Sequence, residues 1–207
     1  VISGAVTVVV MVLAGLAAYA MVRYSFRLRG FLHSMIIASM MFPVFSTIIP
    51  VFRMESSWGI VNTGSIWLTR LSVVLPQIAG NLSFAIIVLM GFIRSLPVDL
   101  EEAAYLEGYN VYQIFFRIIM PLAKPAIASA VIMDFLYTWN EFMLQSVLIT
   151  TDTMKTVPNG LLSFFGEFTV DYGLLNAGVL ISILPVFLVY LIFQKYFVSG
   201  MAGAVKG

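Results

Sequence analysis

The residues that could do chemistry in this sequence are polar side chains set into an apolar segment, 126–149. At about 100° per residue, one side of a helix there carries a polar stripe, bordered by Tyr137, that consists of Asp134, Thr138, Glu141 and Gln145. Asn140 lies on another face, where we expect it to hydrogen-bond a neighbouring helix. Acids at membrane depth are costly and usually face a bundle interior or a wet cavity, so the stripe predicts a polar pathway.

A second polar pair lies in segment 71–93, where Gln77 and Asn81 are four residues apart and share a helix face. Amides and carboxylates hydrogen-bond hydroxyl groups and aromatic rings offer flat surfaces, so these residue types suit a sugar. The competing interpretation is that they only join helices by hydrogen bonds. Glu141 in particular can serve the fold without touching a ligand, and the sequence leaves both interpretations open.

Several kinds of chemistry are disfavoured by composition. The sequence has no cysteine and a single histidine, His33, which excludes disulfides and thiolate metal sites and argues against a histidine metal site. It contains no G-x-x-x-x-G-K-[ST] stretch, so it lacks that means of holding ATP phosphates. The net charge of +1 says nothing about nucleic acid, there is no basic tail, and no nucleic-acid partner is predicted.

The composition as a whole is that of an integral membrane protein. Hydrophobic residues make up 61% of the 207 residues, charged residues make up 10%, and the mean hydropathy is +1.01. Five segments reach the roughly 20 apolar residues that a span needs, about 1–22, 31–52, 71–93, 126–149 and 174–198. Because Val1 already lies inside the first run, we expect the native chain to begin earlier.

Basic residues predict the orientation of these spans. Three of them, Arg53, Arg70 and Lys155, fall on one side. Eight fall on the other side, namely Arg23, Arg27, Arg29, Arg94, Arg117, Lys124, Lys195 and Lys206. Because loops rich in Lys and Arg stay inside, the segment 101–121 and the C-terminus are predicted to be cytoplasmic.

The polar segment 95–121 predicts two short helices joined at a glycine. Ser95 and Pro97 suit the start of the first helix, and Gly108 suits its end because glycine readily takes the left-handed conformation. The pair Asn110 and Gln113 has the spacing of a capping box, which would start a second helix that ends near Pro121.

The first of these helices carries four acids, among them Asp99, Glu101 and Glu102, and no base. An interfacial anchor would carry Lys and Arg to meet anionic lipid. Acids instead suit a basic groove on another protein, so the charge pattern favours protein docking over membrane anchoring.

Fixed residues of this hairpin resemble the EAA loop of ABC importer permeases. The matching residues, at the spacing of that motif, are Glu102, Ala103, Ala104, Gly108, Ile118 and Pro121. Met120 stands where most members have leucine, a mild difference because the two side chains fill similar volumes.

Other stretches resemble the carbohydrate permeases within that family. Trp139-Asn140-Glu141-Phe142 is similar to their WNEF signature, and the stretches beginning at Lys155 and Gln194 also resemble that group. The likeness covers nearly the whole chain and is to the smaller, six-span permease subunit of the maltose-transporter type. It differs at Asn81-Leu82-Ser83, where the family often has Asn-Leu-Pro.

The resemblance implies an all-α membrane protein, a bundle of transmembrane helices of the type I ABC importer permease kind with a cytoplasmic coupling-helix hairpin. Residues 1–207 would form a single permease domain, with 95–121 as the coupling hairpin and the first family span missing before Val1. Glu102 would pair with a basic residue in an ATPase cleft, Ala103 and Ala104 would permit close approach, and Gly108 would form the corner.

The implied partners are a homologous second permease, two cytoplasmic ATPase subunits that use ATP and Mg, and an extracytoplasmic sugar-binding protein. This chain would bind no cofactor and would sit among the lipids of the bacterial cytoplasmic membrane. Two interpretations stay open for Phe164, Phe165, Gly166, Glu167 and Phe168 of the outer loop: contact with the binding protein, which exposed aromatics favour, or a place at the lipid interface. The tail after Lys195 is expected to reach the ATPase interface.

Three rival functions fit parts of the sequence. An ABC importer of another small solute, such as a polyamine, fits the EAA loop equally, and the WNEF stretch favours a sugar. An ion-driven secondary transporter is less favoured because no span pattern recurs in the sequence. A membrane enzyme would need a nucleophile and base or a metal site, which one histidine and no cysteine disfavour.

Overall fold

The computed structural model describes the backbone of residues 1–165 and 170–204, and side chains as far as Lys195 within those ranges. The named elements there are all helical, apart from an isolated bridge between Phe165 and Val170. The α-helices are α1 (Ile2–Arg23), α2 (Arg29–Ser39), α3 (Val44–Ser57), α4 (Ile66–Ser95), α5 (Asp99–Leu106), α6 (Val111–Ile114), α7 (Met120–Leu122), α8 (Lys124–Asn140), α9 (Met143–Leu148), α10 (Val157–Gly160) and α11 (Tyr172–Ala204). A π-helical turn, Phe115–Ile119, joins α6 to α7. The all-α prediction is confirmed.

Three helices, α1, α4 and α11, are each long and apolar enough to cross a membrane. Two bent pairs pass the same test together: α2 with α3, which meet at 102°, and residues 111–122 with α8, which meet at 75°. By length and composition the described residues therefore hold three spans, or up to five if each bent pair is one span. The chain is a multi-pass membrane protein.

The second predicted span, 31–52, is not one straight helix. α2 ends at Ser39, and α3 begins at Val44 with Pro43 as its N-cap in an extended conformation. Proline lacks a backbone N–H, and it disfavours helical geometry in the residue before it. The chain therefore turns before Pro43, which accounts for the bend between the two helices.

The fourth predicted span, 126–149, is interrupted, so the expectation of one continuous polar stripe was wrong. α8 ends at Asn140, Glu141 takes an extended conformation with ψ 125°, and α9 begins only at Met143. Asp134 and Thr138 remain one turn apart on α8. Glu141 and Gln145 lie beyond the break, where the helical register of α8 no longer applies.

The core of the described chain forms where α1 packs against α4 and α8. One face of α1 repeats every four residues and is fully buried, consisting of Val6, Val10, Ala14 and Ala18. Small side chains let helices approach closely in lipid, where apolar burial gives little driving force. The fit is tight at Gly15, because a Cβ there would lie 3.2 Å from the Cε of Met120.

The last helix, α11, packs along α8 but leaves much of its apolar surface uncovered. Its exposed residues include Leu180, Leu184 and Leu188. Such a surface is stable against lipid or against another apolar chain, and it marks this side of the molecule as facing the membrane or a neighbour.

The hairpin has the predicted corner and cap. Gly108 has a φ of 86°, and the Asn110 and Gln113 side chains each accept a hydrogen bond from the other residue's backbone N–H at 2.9 Å. The predicted cap at Ser95 was wrong, because α4 runs through Ser95 and its hydroxyl donates to the Phe92 carbonyl of the same helix. α5 begins instead at Asp99.

Candidate functional site

Two adjoining cavities next to α3 and α8 contain most of the predicted pathway residues. The first, about 310 Å³, is lined in part by Asn81, Asp134 and Tyr137. The second, about 660 Å³, is lined in part by Tyr137, Asn140 and Glu141. Val44 and Tyr137 line both cavities, so the two adjoin, and we call them together the polar groove.

Asp134 is the ionisable group on the inner wall of the polar groove. Its side chain is 2% exposed, and neither carboxylate oxygen makes a hydrogen bond within the described residues. Its polar neighbours are Thr7 of α1 and Asn81 of α4. A buried carboxyl without a full set of partners costs free energy, so this site holds unused hydrogen-bonding capacity for a ligand or water.

Two further pathway candidates, Thr138 and Gln77, do not line the polar groove. The Asn81 side-chain amide donates to the Thr138 hydroxyl at 3.0 Å, which joins α4 to α8. Thr138 lines a separate cavity of about 300 Å³ together with Arg70 and Lys155. Gln77, one turn from Asn81, is buried, its two amide atoms find no hydrogen-bond partner in the part of the chain that the structure describes, and it lines none of these cavities. The sequence prediction of one shared surface therefore holds for only part of the set.

Glu141 caps a helix at the break between α8 and α9. One carboxylate oxygen accepts a hydrogen bond from the Leu144 N–H at 2.8 Å, and the other accepts from the Gln145 N–H at 3.1 Å. The first N–H groups of a helix have no partner within it, and a carboxylate there also meets the positive end of the helix dipole. Both oxygens are therefore engaged in folding α9, although the side chain lines the groove.

The two residues before Glu141 also stabilise the helix break. The Asn140 side-chain amide donates to the Leu136 carbonyl of its own helix at 2.9 Å, so the predicted bond to a neighbouring helix was wrong. The Trp139 indole N–H donates to the Ser182 carbonyl of α11 at 3.0 Å, and its ring stacks on Phe135. The stretch 139–141 thus ends α8, begins α9 and joins α8 to α11 through Trp139.

The hairpin of residues 95–121 presents one side to solvent. Glu102 and Ala103 are exposed, and Leu106, one turn further along α5, is 91% exposed. Ala104 is buried in the chain's own core, contrary to the expectation that it permits close approach of another protein. Of the two other motif residues, Ile118 is half-buried against that core, whereas Pro121 is exposed.

The opposite side of α5 is fastened to the end of α1 by Glu101, a contact that the sequence analysis did not identify. The Tyr19 hydroxyl donates to one carboxylate oxygen of Glu101 at 2.8 Å, and the Arg23 Nε donates to the other at 2.5 Å. Glu101 is 4% exposed, so one of the four acids assigned to docking is neutralised within the chain. The signal was available in part, because Tyr19 and Arg23 share a face at the end of a span.

The outer loop is described only in part. Gly166, Glu167 and Phe168, which are candidates for contact with a binding protein, lie outside the described residues, whereas Phe165 is exposed. In the same loop the Lys155 ammonium donates to the Asp152 carboxylate at 2.6 Å, and this hydrogen bond lowers the pKa of the Asp152 carboxyl.

Comparisons with known proteins agree on the family. The profile described as "Binding-protein-dependent transport system inner membrane component" matches residues 11–203. The chain is 34% identical over 97% of its length to a probable ABC transporter permease protein, YurM, of Bacillus subtilis, and it spans 65% of that relative's length. It is 35% identical to the trehalose transport system permease protein SugB of Mycobacterium tuberculosis, over 97% of this chain and 72% of that protein.

A third relative is the diacetylchitobiose uptake system permease protein NgcG of Streptomyces coelicolor, 33% identical over 91% of this chain and 61% of its own. In fold, the chain is similar to a crystal structure of a bacterial ABC transporter involved in the import of alginate. The TM-score is 0.69 at 24% identity, over 95% of this chain and 74% of that one. With a family profile that covers nearly its whole length, the chain belongs to the family of inner membrane components of binding-protein-dependent transport systems.

Proposed function

We propose that this chain is one permease subunit of an ATP-driven importer for a sugar or an oligosaccharide. The family supplies the class, and relatives named for trehalose and diacetylchitobiose transport support the substrate class. The observation that carries the proposal is the polar groove, where the unpartnered Asp134 carboxyl and the Tyr137 ring lie on one wall. Hydrogen-bonding groups beside an aromatic face suit hydroxyl-rich rings.

The polar groove is half of a translocation pathway in this proposal. The second cavity is bounded on one side by apolar residues of α3 and on the other by α8, and a homologous permease subunit closes its open side. The apolar residues left exposed along α3 fit such a partner, among them Val44, Phe45 and Ile49. Glu141 contributes to the wall by holding α9 in place, and Asp134 contributes a free acceptor.

ATPase subunits dock on the exposed side of the hairpin in this proposal. Leu106 is an almost fully exposed leucine on a short amphipathic helix, and a protein groove would remove that apolar surface from water. Glu102, one turn before it, is placed to meet a basic residue at the rim of that groove. The partner subunits bind ATP and Mg, since this sequence has no P-loop stretch of its own.

The hairpin lies in the cytoplasm, and the membrane is the bacterial cytoplasmic membrane. The supporting observation is the excess of Lys and Arg on the hairpin side of the spans. On the other side, a sugar-binding protein delivers the substrate to the outer end of the bundle. A single cysteine introduced at exposed Tyr112 should react with an impermeant maleimide only in inside-out vesicles, because the chain itself has no cysteine.

The first test is whether ATPase subunits are recovered with the chain. A tagged chain, extracted from native membranes in mild detergent, should bring down an ATPase, a second permease and a solute-binding protein. Leu106→Ser and Glu102→Ala should reduce ATPase recovery but leave the second permease bound. Phe26→Ser, at an exposed apolar residue outside the hairpin, is the matched control and should change neither.

Two results would contradict this function. Recovery of the chain alone, with solute uptake intact, would remove the ATPase from the mechanism and favour an ion-driven transporter. If the assembled complex took up a polyamine in preference to trehalose and other oligosaccharides, the importer function would stand. The assignment of a sugar as its substrate would be rejected.

A further inference from the structure

The hairpin is connected to the membrane bundle by a buried polar contact at the end of α1, and we call it the Glu101 clamp. It comprises Tyr19 and Arg23 of α1 and Glu101 of α5. Both carboxylate oxygens of Glu101 have a partner, the Tyr19 hydroxyl and the Arg23 Nε. The Arg23 guanidinium also donates to the Leu96 carbonyl at 2.9 Å, so it holds the segment that enters α5 as well.

Apolar contacts enclose the clamp. The Tyr19 ring packs against Phe115 of the π-helical turn, with ring centroids 5.3 Å apart, so the second half of the hairpin meets the same tyrosine. Ala104, one turn after Glu101, is buried beside α1 in the main core. The ion pair is therefore shielded from water and salt, which makes its geometry well defined compared with an exposed pair.

The two neighbouring glutamates of α5 face opposite ways. Glu102 is exposed on the side that we assign to ATPase docking, whereas Glu101 is buried against α1. A displacement applied to the exposed side reaches α1 through the contacts between α5 and the end of α1, which also include an exposed pair of hydroxyl groups, Tyr24 and Tyr105, 3.5 Å apart. Of these, the Glu101 clamp is the charged and directional one, because a carboxylate held by two donors resists both sliding and rotation.

We propose that Glu101 is a positioning residue that makes the hairpin and α1 move as one body, so that ATPase movement is transmitted to α1 and on to the wall of the polar groove. α1 carries Thr7, the polar neighbour of Asp134, three turns from the clamp on the same helix. A shift of α1 therefore changes the surroundings of Asp134 directly. The inference rests on the proposed importer function and names the element through which its coupling acts.

The test compares uptake with ATP hydrolysis in the complete complex, reconstituted in vesicles with its own ATPase and binding protein. Complexes with Glu101→Gln or Arg23→Gln should continue to hydrolyse ATP. The amount of sugar transported per ATP should fall by about fivefold or more, which is the low end of the effect that coupling between two sites usually has. Arg27→Gln, which removes an exposed charge near the same end of α1, is the control and should keep the parent ratio. A merely structural role would lower uptake and hydrolysis together, in proportion to the complex lost.

A second variant covers the case in which the single substitutions fail to assemble. Because the chain has no cysteine, Arg23→Cys with Glu101→Cys can be joined in otherwise cysteine-free subunits by a short bis-methanethiosulfonate, which forms a disulfide with each cysteine and releases methanesulfinate. If hairpin and α1 move as one body, the cross-link should restore the ratio of uptake to hydrolysis, and reductive cleavage should lower it again. A cross-linked complex that binds nucleotide but no longer transports would overturn the proposal.

The outcome is distinguishable from failure of the proposed function. If no ATPase is recovered with the parent chain, the importer function fails before any clamp variant is measured. If ATPase binds and the parent transports sugar, yet Glu101→Gln keeps the parent ratio of uptake to hydrolysis, the importer stands and the clamp proposal is rejected.

Discussion

Replacing Glu141 by alanine should destabilise the fold while leaving substrate handling in the surviving complexes largely intact. The substitution removes both acceptors of the Leu144 and Gln145 N–H groups, which lie at 2.8 and 3.1 Å from the carboxylate. Leaving a buried donor unpaired costs about 1–3 kcal/mol. Because Glu141 lines a cavity that water can enter, we take the low end for each donor, which gives about 2 kcal/mol in total.

The measurement is thermal unfolding of the purified chain in detergent, followed by uptake normalised to assembled complex. For a chain of about this size, 1 kcal/mol shifts the melting temperature by about 2–4 °C, so Glu141→Ala should lower it by about 4–8 °C. Glu141→Gln retains one acceptor oxygen and should lose roughly half as much. Ser146→Ala, which removes an exposed hydroxyl on the same helix, is the control and should shift it little.

Two results would refute this reasoning. If Glu141→Ala melted at the parent temperature but abolished uptake, the carboxylate would contact the substrate and the cap would be incidental. If Glu141→Gln were as destabilised as Glu141→Ala, the charge itself would matter and the count of hydrogen bonds would be the wrong measure.

Three further substitutions separate binding, backbone and packing. Asp134→Asn removes a buried carboxyl without partners, so the melting temperature should stay or rise while uptake by the assembled complex falls; a drop in both would make Asp134 structural. Gly108→Ala, at a φ of 86°, should cost about 1 kcal/mol of unfolding free energy and Gly108→Asn less, as measured by melting. Trp139→Phe keeps an aromatic ring but loses the hydrogen bond to the Ser182 carbonyl, so the melting temperature should fall by about 2–4 °C; no shift would show that this hydrogen bond does not stabilise the packing of α8 against α11.

The features that sequence predicted well are those whose partners lie a few residues away. The capping box at Asn110 and Gln113 needs only its own turn of chain, and both of its hydrogen bonds are present. Gly108 takes the left-handed conformation that the corner between two helices requires. Three of the five predicted spans likewise follow from hydropathy alone and fall within α1, α4 and α11.

The features that sequence missed depend on neighbours distant in the chain. Nothing in the order of Glu101 and Glu102 says which one faces inward, because that is decided by Arg23 and Tyr19, some eighty residues earlier. The assumption of an unbroken helix through Glu141 failed for a related reason. The Glu141 carboxylate accepts hydrogen bonds at the start of α9 in place of main-chain carbonyl oxygens. Hydropathy alone does not indicate that a side chain will take this role.

The hydrogen bonding of the buried and half-buried acids separates those that build the fold from one that is available for function. Glu101 and Glu141 are acids whose two oxygens are both engaged, and each holds a segment boundary. Asp134 is 2% exposed, and neither of its oxygens makes a hydrogen bond within the described residues, although the Thr7 and Asn81 side chains lie nearby. Packing gives no reason to retain a carboxyl there, since an apolar residue of similar volume would avoid the desolvation cost. Among the acids of the stripe, we therefore propose Asp134, and not Glu141, as the one that contacts a hydroxyl-rich substrate.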